Sequence, residues 1–110
     1  MRYITKRAKY GSIQQAYGGR NYHSKKEAQY AFELDMRIKM GEVKGYVNQY
    51  KIDLRVNGVH ICNYFIDFRV ELMDGTFEYT EIKGFETDLW ALKWKLTQAI
   101  YPEYKLVLIK

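Results

Sequence analysis

Cysteine and proline each occur once in this chain. A single cysteine, Cys62, excludes an internal disulfide and any cysteine-based zinc centre, and within a strand-like run it reads as a small packing residue. With Pro102 as the one proline, and no repeat or low-complexity tract, nothing marks an internal linker. His23 and His60 are the only histidines, and neither has a partner at metal-site spacing. No apolar run approaches the roughly 18 residues of a membrane span, and the basic start MRYITKRAKYGS lacks the apolar block of a secretory signal. The expectation is a soluble, cytoplasmic protein with no membrane partner. At 110 residues, 47% of them hydrophobic, it has material for one core and one domain.

Acids are absent from the first 26 residues, which carry Arg2, Lys6, Arg7, Lys9, Arg20, Lys25 and Lys26. The remaining 84 residues hold eleven bases against thirteen acids, so all of the net +5 charge comes from the front. Four tyrosines (Tyr3, Tyr10, Tyr17 and Tyr22) and three glycines (Gly11, Gly18 and Gly19) are interleaved with those cations. Cations neutralise phosphate and aromatic rings stack on bases, so residues 1–22 read as a basic arm for nucleic acid, with Lys6, Arg7, Lys9, Arg20, Lys25 and Lys26 as the contacts. A solvated arm without a ligand is the competing reading. Residues 23–110 then form the core domain.

Ser24, followed three residues on by Glu27, is a capping-box pattern, and Gly41 suits a left-handed stop, predicting a helix from about Lys25 to Met40. YVNQYKIDLRV and VHICNYFIDFRVEL flank Asn57-Gly58, a strong hairpin signal; Met73-Asp74-Gly75 then leads into TFEYTEIK. Thr87 or Asp88 caps a second helix ending near Tyr101-Pro102, and KLVLIK is a last strand. The order α-β-β-β-α-β predicts an α+β (α/β) domain. A right-handed crossover makes the last strand parallel to the third, giving a mixed four-stranded sheet flanked by helices.

The hairpin at Met73-Asp74-Gly75 is the source of the candidate chemistry. A three-residue loop sets Leu72 opposite Thr76 and therefore Asp67 opposite Glu81, two carboxylates side by side on one face, with Lys83 one step further along it. Like charges so placed call for a proton or a cation between them. Glu27 begins the helix stripe Glu27, Ala31, Leu34 and Ile38 that faces the sheet, so it serves as cap, as third carboxylate, or as both. All-oxygen ligation suits Mg²⁺ or Mn²⁺ rather than zinc. Asn48 and Gln49 compete to line the site: a two-residue turn at Asn57-Gly58 sets Asn48 opposite Asp67, and a bulge exchanges the two. Lys93 interrupts the apolar face Leu89, Leu96 and Ile100, either snorkelling at the rim or reaching a DNA phosphate. Trp90 and Trp94, on another flank, read as packing or dimer-contact residues.

Glu27, Asp67, Glu81-Ile82-Lys83 and the element order together resemble the PD-(D/E)XK nuclease superfamily. SKKEA, NQYKIDL, IDF and EIKGFETD, followed by a lysine-bearing helix, look more closely like a family of small phage and prophage proteins placed near the Holliday junction resolvases. The likeness spans roughly Tyr10 to Lys110. It implies that Asp67, Glu81 and the Ile82 carbonyl bind Mg²⁺, with Mn²⁺ as a substitute, and that Glu27 assists directly or through water. Lys83 would orient or deprotonate the attacking water. Ile66 stands where the superfamily pattern has its nominal proline. The implied activity is endonucleolytic cleavage of branched DNA, such as a four-way junction, by a homodimer during phage DNA processing in the bacterial cytoplasm. Rival readings are a non-catalytic DNA-binding or adaptor module that keeps the fold, and a protein-interaction domain whose acids are simply ion-paired to Lys83.

Overall fold

The computed structural model describes residues 15–17, 20–22 and 24–110. Strands β1 (Gln15–Tyr17) and β2 (Arg20–Tyr22) form an antiparallel pair, followed by helix α1 (Lys25–Lys39), the long strands β3 (Val43–Val56) and β4 (Val59–Leu72), β5 (Phe77–Ile82), helix α2 (Asp88–Ile100) and β6 (Lys105–Ile109). The second sheet has the order β3-β4-β5-β6, antiparallel except that β5 and β6 run parallel. This is the expected mixed sheet with the α2 crossover, in one compact α+β domain. No helix among the described residues is long and apolar enough to cross a membrane.

The elements start and stop where local chemistry directs. The Ser24 hydroxyl accepts from the Glu27 backbone N–H at 3.1 Å, and Thr87 caps α2 in the same way toward Trp90. At the end of α1 the amides of Gly41 and Glu42 donate to the carbonyls of Ile38 and Arg37, a Schellman closure that needs the left-handed backbone Gly41 supplies at φ +79°. Asn57 and Gly58 both have positive φ, as the tight hairpin turn requires.

Two apolar clusters hold the layers together. In one, Ala28, Ala31 and Leu34 of α1 pack with Val43, Phe68 and Val70, and Tyr22, 1% exposed, joins them with its ring 6.2 Å from Phe68. The front segment is thus not an arm throughout: its last residue is core, as the sequence reading of residues 1–22 did not anticipate. The other cluster sets Trp90 of α2 against Ile52, Leu54, Tyr64, Ile66 and Tyr79. The inward side of α2 is carried by Trp90 and Thr97, with Leu89 62% exposed, so the expected stripe beginning at Leu89 is rotated. Ile38 likewise lies at the exposed end of α1 rather than on the sheet.

Candidate active site

The β4–β5 hairpin has the register that its turn chemistry predicts. Asp74 Oδ1 accepts from the Thr76 amide at 2.9 Å, Leu72 and Thr76 are hydrogen-bonded, and Gly75 closes the turn at φ +88°. Phe68 pairs with Thr80 and Val70 with Glu78. One step further the same register sets Asp67 beside Glu81. Both are buried, at 4% and 2% exposure, as is Lys83 at 3%.

Each carboxylate is held at both oxygens. Asp67 Oδ1 accepts from Gln49 Nε2 at 3.0 Å, and Oδ2 from the Ile82 backbone N–H at 2.8 Å. Glu81 Oε1 accepts from the Tyr64 hydroxyl at 2.8 Å, and Oε2 lies 3.2 Å from Lys83 Nζ. Tyr64 in turn accepts from Trp90 Nε1 at 3.0 Å, and Lys83 Nζ stands 4.9 Å from the centroid of the Trp90 ring. Burial, then the neighbouring Asp67 charge, push the Glu81 carboxyl up to about 7, against the pull of Lys83. The Tyr64 phenol is raised strongly by burial first and by Glu81 second.

Asn48 and Gln49 both reach Asp67. The β3–β4 register slips between Leu54 and Arg55, leaving Ile61 as an extra residue, so Asn48 pairs with Phe68 and Gln49 arrives opposite Asp67. Gln49 donates to the carboxylate, while Asn48 Nδ2 donates to the Asp67 backbone carbonyl at 2.9 Å. Gln49 adopts φ +57°, a left-handed conformation strained for a residue with a side chain.

Glu27 is 5% exposed, but it begins a stripe whose next members pack on Phe68 and Val70. Among the described residues, no three His, Cys, Asp or Glu side chains are grouped to hold a metal. The structure sets Asp67, Glu81 and Lys83 together, and Glu27 is buried at the start of α1. Lys93 donates to the Asn63 backbone carbonyl at 3.0 Å, bound to the β-ribbon at the helix edge. Lys25 and Lys26 are exposed, and Lys26 borders a groove of about 220 Å³ with Gln29, Tyr30, Glu33, Ile82 and Ile109. Lys6, Arg7 and Lys9, the side chain of Arg20, and His23 lie outside the described residues. His60 pairs with Asp53 at 2.7 Å on the exposed hairpin, and Cys62 is a free, partly buried residue of the second cluster.

The donor set fits a hard divalent cation held by two carboxylates. A carboxylate oxygen has two lone pairs and can accept from a protein donor and a cation together, and Mg²⁺ commonly takes one or two carboxylates and keeps water in its other positions. The Lys83 amide donates to Ile109 at 2.8 Å, so the trans peptide turns the Ile82 carbonyl the other way, toward the Asp67 side of β5. Trp90 is the packing residue expected from the sequence, but its hydrogen bond to Tyr64 and its place beside Lys83 were not foreseen, and Tyr64 was missed because a tyrosine in a strand carries no signal of its own.

No curated protein and no solved structure matches the chain. The chain belongs to the family described as Protein of unknown function (DUF1064), matched over residues 7–110.

Proposed function

We propose that the protein is a metal-dependent endodeoxyribonuclease acting on branched DNA. The observation that carries this reading is the side-by-side burial of Asp67 and Glu81, two carboxylates whose repulsion an ion relieves, with an amine 3.2 Å from one of them. Asp67, Glu81 and the Ile82 carbonyl would hold Mg²⁺ or Mn²⁺. When bound, such an ion polarises the scissile phosphate and acidifies water. Gln49 and the Ile82 amide fix the Asp67 carboxylate, and the Trp90–Tyr64 pair fixes that of Glu81. Lys83, held by Glu81 and the Trp90 face, orients the attacking water at the end of β5. The basic front supplies phosphate contacts, and a homodimer would present two such centres to the two cuts of a four-way junction.

One observation favours a second reading. Asp67, Glu81 and Lys83 are each 4% exposed or less, as suits an internal polar network in a DNA-binding or adaptor module without turnover. Cleavage requires DNA entry to open this site.

The test incubates the protein with four-way junction, flap, duplex and single-stranded DNA in Mg²⁺ or Mn²⁺, beside Asp67→Asn and Lys83→Ala. Cleavage by the parent alone, with junction binding retained in both variants, supports the nuclease. Binding without cleavage by any of the three supports the second reading.

A further inference from the structure

Arg69 lies two residues from Asp67 on β4, hence on the same face of the sheet, and pairs in register with Tyr79. Its guanidinium carbon sits 3.7 Å from the centroid of the Phe77 ring and 4.7 Å from that of Tyr50. Tyr50 is itself backed by Tyr79 at 5.9 Å, and Tyr79 is stacked on Tyr104 at 4.1 Å. The arginine therefore lies against two rings, one of which, Tyr50, is backed by further aromatic packing. Its Nε is buried and, among the described residues, has no hydrogen-bond partner, and no carboxylate of the described residues lies within ion-pair distance of the side chain. A guanidinium carries five N–H donors in a rigid fork, and leaving a buried one unmade is costly. Rings on its flanks contribute cation–π attraction but accept none of those in-plane hydrogens. What Nε lacks is an oxyanion acceptor.

We propose that Arg69 binds a backbone phosphate of DNA, on the strand that runs past the Asp67 and Glu81 carboxylates. The inference rests on the reading of the protein as one that acts on DNA. Phosphate is the anion whose oxygens match the arginine fork, and successive phosphates along one strand would let one sit at the acids while a neighbour meets Arg69. The neighbouring carboxylates repel a phosphate strand, and a cation on the same face offsets that repulsion. A positive anchor on their face therefore gives the strand a reason to lie there. Tyr50 and Phe77 hold the fork in place before binding, so little side-chain entropy remains to be lost.

The experiment measures binding of a fluorescein-labelled four-way junction and of a labelled single strand by the parent and by Arg69→Met and Arg69→Lys. It is run by anisotropy in EDTA across a series of salt concentrations. The expected result for Arg69→Met is a loss of about tenfold or more in affinity and a fall of about 0.7 to 0.9 in the salt slope, the signature of one phosphate contact. Arg69→Lys should keep the slope and lose part of the affinity. A second readout uses the intact protein: the Arg69 Nε–Hε resonance, assigned by its loss in Arg69→Lys, should shift on adding DNA. An unmoved resonance, or an unchanged slope in a folded Arg69→Met protein, overturns the proposal. Because EDTA suppresses catalysis, this outcome is independent of cleavage. A parent that never cuts but shows the Arg69-dependent slope removes the nuclease and leaves the phosphate site standing.

Discussion

Gln49 donates a hydrogen bond to Asp67 Oδ1 at 3.0 Å from a backbone held at φ +57°. The contact exists because two irregularities coincide. The extra residue near Ile61 moves the β3 register by one, and the left-handed turn of the backbone at Gln49 then aims its amide at the carboxylate. Strain at a position touching a buried acid is the pattern expected where a side chain has been placed for a purpose.

The two contributions at Gln49 are separable by substitution. Gln49→Ala keeps the unfavourable φ and loses the hydrogen bond, whereas Gln49→Gly loses only the bond. Urea denaturation should show Gln49→Ala as the least stable of the three proteins, with the glycine variant about 1 kcal/mol above it. Equal stability of the two variants would show that the conformation costs nothing here.

Tyr64→Phe tests the relay behind Glu81. The hydroxyl accepts from Trp90 Nε1 and donates to Glu81, so its removal leaves a buried indole N–H and one carboxylate oxygen without a partner. The expected loss is about 1 to 3 kcal/mol of stability by denaturant titration. The Trp90 fluorescence should also change, since the indole loses its acceptor. A variant as stable as the parent would mean that water or a repacked neighbour replaces the hydroxyl.

The pairing of Asp67 with Glu81 was legible because a turn with glycine at its left-handed position sets its own strand register, and every face assignment follows from that register. Helix starts at Ser24 and at Thr87 or Asp88 were legible for the same reason, since a cap is a local hydrogen bond, and the structure selects Thr87 of the two. The choice between Asn48 and Gln49 was not, because a β-bulge adds one residue without any obligatory residue type; both side chains in fact reach Asp67 by different atoms. The rotation of α2 was also hidden. Leucine and tryptophan satisfy an apolar stripe equally, and Trp90 was selected by a partner, Tyr64, that lies on β4. Glu27 was legible as the buried first member of the inward stripe, but helix periodicity alone does not say what it meets there.

Lys83 and Glu81 should behave as a coupled pair. Lys83→Met leaves Glu81 buried beside Asp67 without its cation, and such one-sided deletions typically cost about 3 to 5 kcal/mol. Adding Glu81→Gln should recover a large part of that loss, because the uncompensated charge is gone. A double-mutant cycle by urea denaturation measures it, with a coupling of about 1 kcal/mol or more expected. Strict additivity would show that the 3.2 Å contact carries little energy.

The pH dependence of stability in EDTA follows from the direction of the Glu81 shift. Burial and Asp67 push its carboxyl up to about 7 from an ordinary value of 4.5, so the protonated form is the one the fold favours. The resulting stabilisation is full below about pH 4.5 and is lost as pH rises through about 7, amounting to roughly 3 kcal/mol over that window. Other carboxylates titrate too, so the quantity to measure is the difference between the parent and Glu81→Gln, by urea denaturation at closely spaced pH values. The parent should lose stability relative to the variant from pH 5 to pH 8 and level off above that. Saturating Mn²⁺ should restore the parent above pH 7, because a cation at the two carboxylates favours their ionised forms, and should do little for Glu81→Gln. A difference that stays flat with pH would show that Glu81 remains ionised throughout, with Lys83 outweighing both burial and Asp67. A loss that Mn²⁺ fails to reverse would leave the carboxylate pair as a polar network of the interior.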